Sequence, residues 1–293
     1  LSNLAKRLAV GILGIPAFIY LILQGDVFFF GLVFFLSNLC VWEFIKMSEN
    51  KGAHPLNLLS ILSNSALIGF SFFGLHNLEF GKFCIFYISI LFLISLLHTG
   101  LNLWNNKSSA IYNIFTGLGA TAYISFSFSS LLFIREFGYF YYYLTLSPIS
   151  KLPLSYPDYG WICMAMFIGI WASDTGAYFV GSAIGKNKLF ERISPKKSWE
   201  GACGGFVSAI LGFSLTMYFT IPSFPVYLSI IIGAMIGIFG TIGDLAESQL
   251  KRDAGVKDSS NLIPGHGGFL DRFDSAIFVS PILFFVLVIF FCF

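Results

Sequence analysis

Residues 248–274 read SQLKRDAGVKDSSNLIPGHGGFLDRFD and lie between two apolar runs, at about 226–246 and 275–293. The second run has no charged residue, and the first has one, Asp244. Each is close to the roughly 20 residues that a helix needs to cross a hydrocarbon core of about 30 Å. The polar stretch therefore reads as a loop between two membrane-spanning helices, and it gathers 8 of the 18 charged residues that follow position 160.

Seven further apolar runs precede it, at about 8–23, 27–45, 56–74, 82–98, 110–134, 160–184 and 202–221. Composition agrees with this reading. The chain has 11% charged residues, 56% hydrophobic residues and 36 phenylalanines in 293 positions, whereas a soluble domain carries about 25% charge. In lipid every backbone polar group must be satisfied internally, so runs of this length form helices. The expected fold is all-α, a polytopic integral membrane bundle of about nine transmembrane helices. Lys6 and Arg7 before Leu8–Leu23 imitate a signal peptide. No small-x-small site precedes Gln24, Gly25 and Asp26, and a second run follows at once, so a retained helical hairpin is expected.

Basic residues collect on the cytoplasmic side of short loops. With a cytoplasmic N-terminus and nine crossings, that side holds Lys6, Arg7, Lys46, Lys51, Lys107, Lys186, Lys188, Arg192, Lys196, Lys197, Lys251, Arg252, Lys257 and Arg272, which is 14 of the 17 Lys and Arg. Lys82, Arg135 and Lys151 fall outside. The formal charge of +2 thus conceals one basic face suited to anionic nucleotides and headgroups.

The chain divides into N-terminal helices over 1–134, with few charges inside them, an external loop over 135–159, and a C-terminal catalytic region over 160–293 with cytoplasmic loops. The N-terminal helices are expected to serve as scaffold and to offer dimer contacts. Tyr139, Tyr141, Tyr142 and Tyr143 read as a headgroup belt. Cys40, Cys84, Cys163, Cys203 and Cys292 lack the spacing of a metal site or disulfide framework and read as small hydrophobes. Gly181 with Gly185, and Gly233 with Gly237, let helices approach closely, in a tight bundle or at a dimer contact. GSAIGKNK at 181–188 fails as a phosphate-binding loop, because three residues separate its glycines and Asn187 replaces the hydroxyl.

Asp174 and Asp244 are acids inside apolar runs, and a charge near the bilayer centre costs about 2.5–3.5 kcal/mol on insertion scales. Neither run contains a Lys or Arg. Compensation must come from loops, from protonation or from a bound cation. With Asp271, three aspartates on one side would suit magnesium, which is usually held by one or two carboxylates plus substrate phosphates. Asp271 and Asp274 also have a plain alternative as helix N-caps. Continuing the eighth helix places Asp244, Ser248 and Lys251 at i, i+4 and i+7 on one face. Arg252 adds a planar fork and Lys257 a mobile cation, though a solvated basic face would account for the lysines alone. In NLIPGHGGFLD the glycines permit an irregular loop whose amides face a ligand. His266 at its tip reads as a donor or a structural residue rather than a base. In SPKKSWEG at 194–201, Ser194 and Pro195 read as an N-cap and a first-turn proline opening an anion-binding helix beside Lys196 and Lys197. Topology signalling is the competing account of those lysines.

The 248–274 stretch resembles, position for position, the signature of the phosphatidate cytidylyltransferase family, the CDP-diacylglycerol synthases; SPKK followed by WEG is also typical of it. The resemblance covers roughly residues 171–274 and shows no departure at the specified positions. It implies formation of CDP-diacylglycerol and pyrophosphate from CTP and phosphatidate, with Mg2+; a second cation, monovalent or not, is conceivable beside it. It implies metal binding by Asp174, Asp244 and Asp271, with Lys251 also catalytic. Substrate binding would fall to Ser248, Lys251, Arg252, Lys257, His266, Arg272, Lys196 and Lys197. The expected setting is a bacterial plasma membrane, with a cytosol-facing site, a polar cavity between the C-terminal helices, a homodimer and no nucleic acid partner. Two rivals are kept: a CTP-dependent membrane enzyme acting on an isoprenoid lipid, and an ion-coupled transporter, against which the one-sided clustering of polar groups speaks.

Overall fold

The computed structural model describes residues 3–105, 107, 109–145, 154–263, 265 and 267–292, with side chains from residue 12 on and Tyr143's excepted. Ten α-helices are found among them: α1 Asn3–Gln24, α2 Asp26–Glu49, α3 Asn57–Asn77, α4 Phe80–Leu101, α5 Ala110–Arg135, α6 Phe137–Thr145, α7 Tyr156–Ile184, α8 Trp199–Thr220, α9 Val226–Asp253 and α10 Leu270–Cys292. Between α7 and α8 lies an antiparallel ribbon, β1 Lys188–Phe190 with β2 Ser194–Ser198. Eight helices are long and apolar enough to cross a membrane, and the described apolar part of α1, Ile12–Gln24, is shorter. The protein is an all-α polytopic integral membrane protein. Its helices follow the nine apolar runs and extend beyond several of them, most at α9, which continues past 246 to Asp253.

The chain forms two compact units. The first holds Leu1–Leu21, Asp26–Phe133 and Lys251–Arg272; the second holds Ile22–Gly25, Ile134–Leu250 and Phe273–Phe293. In the first, α2 and α3 bury Phe29, Val33, Leu36, Leu67, Ile68 and Phe72. Lipid offers no hydrophobic drive between helices, so buried polar contacts matter there. Asn64 on α3 supplies one: its amide donates to Ser37 Oγ at 3.0 Å, and its carbonyl accepts from Ser125 Oγ at 2.7 Å. α4 instead leaves Ile85, Ile88, Phe92 and Leu96 more than half exposed, as expected of a face turned to acyl chains.

In the second unit, close backbone approach brings α8 and α9 together. A Cβ on Gly237 would meet Phe206 Cα at 2.9 Å, and one on Gly233 would collide with Ile210. The Gly233/Gly237 pair is therefore used inside the chain. Arg135 is placed differently from the sequence expectation. It is not a loop residue but ends α5 fully buried, where Nε and Nη2 donate to the carbonyls of Ile22 and Leu23 at 2.9 and 3.0 Å. The last carbonyls of α1 lack intrahelical partners, and the guanidinium fork supplies donors there. The segment expected as an external loop also contains α6, whose Phe140 packs edge-on against Phe284 at 4.8 Å. Lys151 lies outside the described residues.

Candidate active site

The predicted site residues assemble as two lysine–aspartate pairs, each with a hydroxyl group. In the first, Lys197 of β2 forms an ion pair with Asp244 of α9, and Ser248, one turn on, donates to Asp244 Oδ1 at 3.3 Å. A loop lysine thus supplies the compensating charge that neither apolar run contains.

The ribbon explains how Lys197 is presented. Glu200 accepts from the backbone of Lys186 at 3.1 Å and of Asn187 at 3.3 Å, and from Asn187 Nδ2 at 2.7 Å. It ties the end of α7 to the start of α8. Ser198 pairs with Lys188 across the ribbon, and its hydroxyl accepts from Gly201 N at 3.1 Å, capping α8. The expected cap was Ser194, with Pro195 in the first turn. That expectation is corrected: Ser194 lies in β2, because a residue before proline is pushed to extended backbone, and the helix begins at Trp199. Side chains alternate along a strand, so Lys197 is half-buried while Lys196 is exposed.

In the second pair, Lys251 at the end of α9 donates to Asp271 Oδ1 at 2.6 Å, and the two side chains are 10% and 5% exposed. Asp271 Oδ2 accepts from Ser259 N at 2.9 Å and from Gly268 N at 2.7 Å, and it lies 2.9 Å from the Ser259 hydroxyl, whose one proton it shares with Glu43. The carboxylate therefore organises the loop after α9 besides pairing with Lys251. Asp274 lies a full turn inside α10 and is not its N-cap.

The remaining predicted residues that the structure describes lie at the surface. Asp174 is exposed on α7, and Arg272 and Lys257 are exposed. Arg252 is exposed and donates to Val256 O at 2.8 Å. His266 and Pro264 lie outside the described residues. Beside Asp174, Thr175 lines an open cleft of about 510 Å³ with Ile168, Trp171, Phe179 and Ser208. Its walls are chiefly apolar, unlike the polar cavity expected between the C-terminal helices.

One residue escaped the sequence reading. Glu43 on α2 is fully buried and accepts from Ser260 Oγ at 2.6 Å, Ser259 Oγ at 2.9 Å, Phe269 N at 2.9 Å and Leu270 N at 2.7 Å. It satisfies amides at the start of α10 that have no partner within the helix. A signal was present, since Glu43 is the one acid in the run 27–45 and a buried carboxylate requires partners.

Carboxylates with a neighbouring hydroxyl are hard oxygen donors, and magnesium takes one or two of them plus substrate phosphates. Asp244 with Ser248, and Asp271 through Oδ1, fit that habit in kind. A cage of three His, Cys, Asp or Glu side chains is not formed among the described residues.

A model of the cytidylyltransferase family matches residues 5–290. The chain is 32% identical to a phosphatidate cytidylyltransferase of Bacillus subtilis (strain 168) over 98% of its own length and 99% of that protein's. It is 41% identical to one from Staphylococcus haemolyticus over 50% of this chain and 52% of the relative, and 46% identical to one from Staphylococcus saprophyticus over 40% and 45%. With nearly its whole length matched both by the family and by a relative of this kind, the chain belongs to the cytidylyltransferase family.

Proposed function

We propose that the protein converts CTP and phosphatidate to CDP-diacylglycerol and pyrophosphate, at a site facing the cytosol of a bacterial plasma membrane. The observation that carries this reading is α9 itself. One continuous helix bears Asp244, Ser248 and Lys251 at successive turns, and Asp244 and Lys251 each hold a partner of opposite charge. The phosphatidate phosphate is an anionic nucleophile and needs little deprotonation. Its difficulty is approach to a triphosphate of like charge.

Lys197 and Lys251 lower that repulsion, with Lys196, Arg252, Lys257 and Arg272 drawing anions from solution. A lipid phosphate oxygen bonds to the α-phosphorus of CTP as the bond to the bridging oxygen breaks. Pyrophosphate then departs with the electron pair. Such transfers depend mainly on positioning and electrostatic stabilisation. Members of the family generally use a divalent metal. Asp174, Asp244 and Asp271 are each proposed as Mg2+ ligands on the resemblance, and the bound ion would neutralise charge on the phosphates. His266 would serve as a donor or hold the loop.

Purified protein in mixed micelles should convert radiolabelled CTP to a lipid-soluble nucleotide only when phosphatidate is present, releasing equimolar pyrophosphate. A polyprenol or isoprenoid ether lipid replacing phosphatidate as the required acceptor would refute the substrate assignment. A homodimer is also proposed, on the resemblance alone, since Gly233 and Gly237 are occupied by α8. Crosslinking in native membranes tests it.

A further inference from the structure

We infer that Glu43 is a positioning residue for the Asp271–Lys251 pair, acting through the loop between α9 and α10. This rests on the reading of that pair as part of the reaction site. Glu43 is separated from Ser259 by 216 positions, yet its two carboxylate oxygens accept from four groups of the 259–270 segment. Oε1 takes Ser260 Oγ and Phe269 N, while Oε2 takes Ser259 Oγ and Leu270 N. Those contacts grip both ends of the loop. Between them the same Ser259 hydroxyl lies 2.9 Å from Asp271 Oδ2, and the Gly268 amide donates to that oxygen.

A chain of direct contacts therefore runs from Glu43 through Ser259 to Asp271 and Lys251. Packing around it is tight: a Cβ on Gly268 would collide with both the Glu43 carboxylate and the Ser259 hydroxyl. A carboxylate fits this position better than an amide. Gln in the same place turns one oxygen into a donor, and whichever way it faces, the amide of Phe269 or of Leu270 loses its acceptor. The loop would then shift, and displacements near 1 Å at a reacting centre cost about a hundredfold in rate.

The test compares wild type, Glu43→Gln, Gly268→Ala and the double variant, each as purified full-length protein in mixed micelles with CTP and phosphatidate. Glu43→Gln should lower kcat per folded molecule by about a hundredfold, with KM for CTP changed far less. Gly268→Ala disturbs the same contacts from the other side, so the double variant should be little worse than the worse single one. Amide hydrogen exchange gives an independent readout: protection at Ser259–Leu270 should fall in Glu43→Gln, while protection in α3 and α5 stays unchanged. Unaltered loop protection, or kcat within twofold of wild type, overturns the inference. Uniform loss of protection across all helices overturns it too, since Glu43 would then serve the fold alone. Should wild type form no lipid-soluble nucleotide, the functional reading fails, and exchange still decides whether Glu43 holds the loop.

Discussion

Asp244 and Asp271 each have a lysine partner, but they differ in burial, and their removal should have different consequences. The Lys197 and Asp244 side chains are 29% and 30% exposed, and an ion pair that open to solvent adds little to stability. Asp244→Asn should therefore insert, purify and melt like wild type while CTP-dependent product falls by about a hundredfold or more. Retained turnover would remove Asp244 from the site. The Lys251–Asp271 pair is almost sealed, at 10% and 5%. Breaking a buried pair from one side leaves an uncompensated charge and costs about 3 kcal/mol, even with three other donors around Asp271. Lys251→Met should lower denaturant stability, and adding Asp271→Asn should restore most of it without restoring activity. A double variant as unstable as the single one would show that the loop, not the charge, was lost.

At the level of elements, the ribbon and the start of α8 set where Lys197 stands. Ser198→Ala removes the cap and should cost about 1 kcal/mol of denaturant stability, with a larger proportional loss of activity because residue 198 follows Lys197 directly. Ser194→Ala should leave α8 unaffected, since Ser194 belongs to β2. Equal losses from the two would return the cap to Ser194. The contrast also marks what the sequence could disclose. Hydropathy sums over neighbouring residues, so the positions of α7, α8, α9 and α10 were legible, while polar ends such as the last seven residues of α9 fell outside the apolar runs. The i, i+4, i+7 face of Asp244, Ser248 and Lys251 followed from helical spacing, because α9 continues unbroken to Asp253. Ser194-Pro195 misled because it fits a helix start equally well by composition, and only the pairing of Lys188 with Ser198 decides. Glu43 and Arg135 were missed for another reason: the partners of Glu43 lie 216–227 positions away and the α1 carbonyls that take Arg135 Nε and Nη2 lie 112–113 away, and no local pattern encodes contacts so distant.

For the whole molecule, the charge distribution favours the proposed orientation. Placing 14 of 17 basic residues on one side follows from a cytoplasmic N-terminus and the succession of apolar runs. In the proposed orientation a potential of that sign would draw CTP and anionic headgroups to the inner leaflet, which is where a nucleotide from the cytosol must meet a lipid. The prediction is open to direct measurement. In a background with the five native cysteines replaced, Lys188→Cys in the ribbon and Lys257→Cys in the loop after α9 should each react with a membrane-impermeant maleimide in inverted vesicles but not in intact cells. Glu79→Cys, between α3 and α4, should show the reverse. Neither lysine touches Asp244 or Asp271 in the hydrogen bonds that define the two pairs, so labelling reports topology independently of turnover. Reaction of Lys188→Cys or Lys257→Cys from outside would turn the basic face away from the nucleotide pool and leave the proposed reaction without access to CTP, however well the two aspartate pairs are formed.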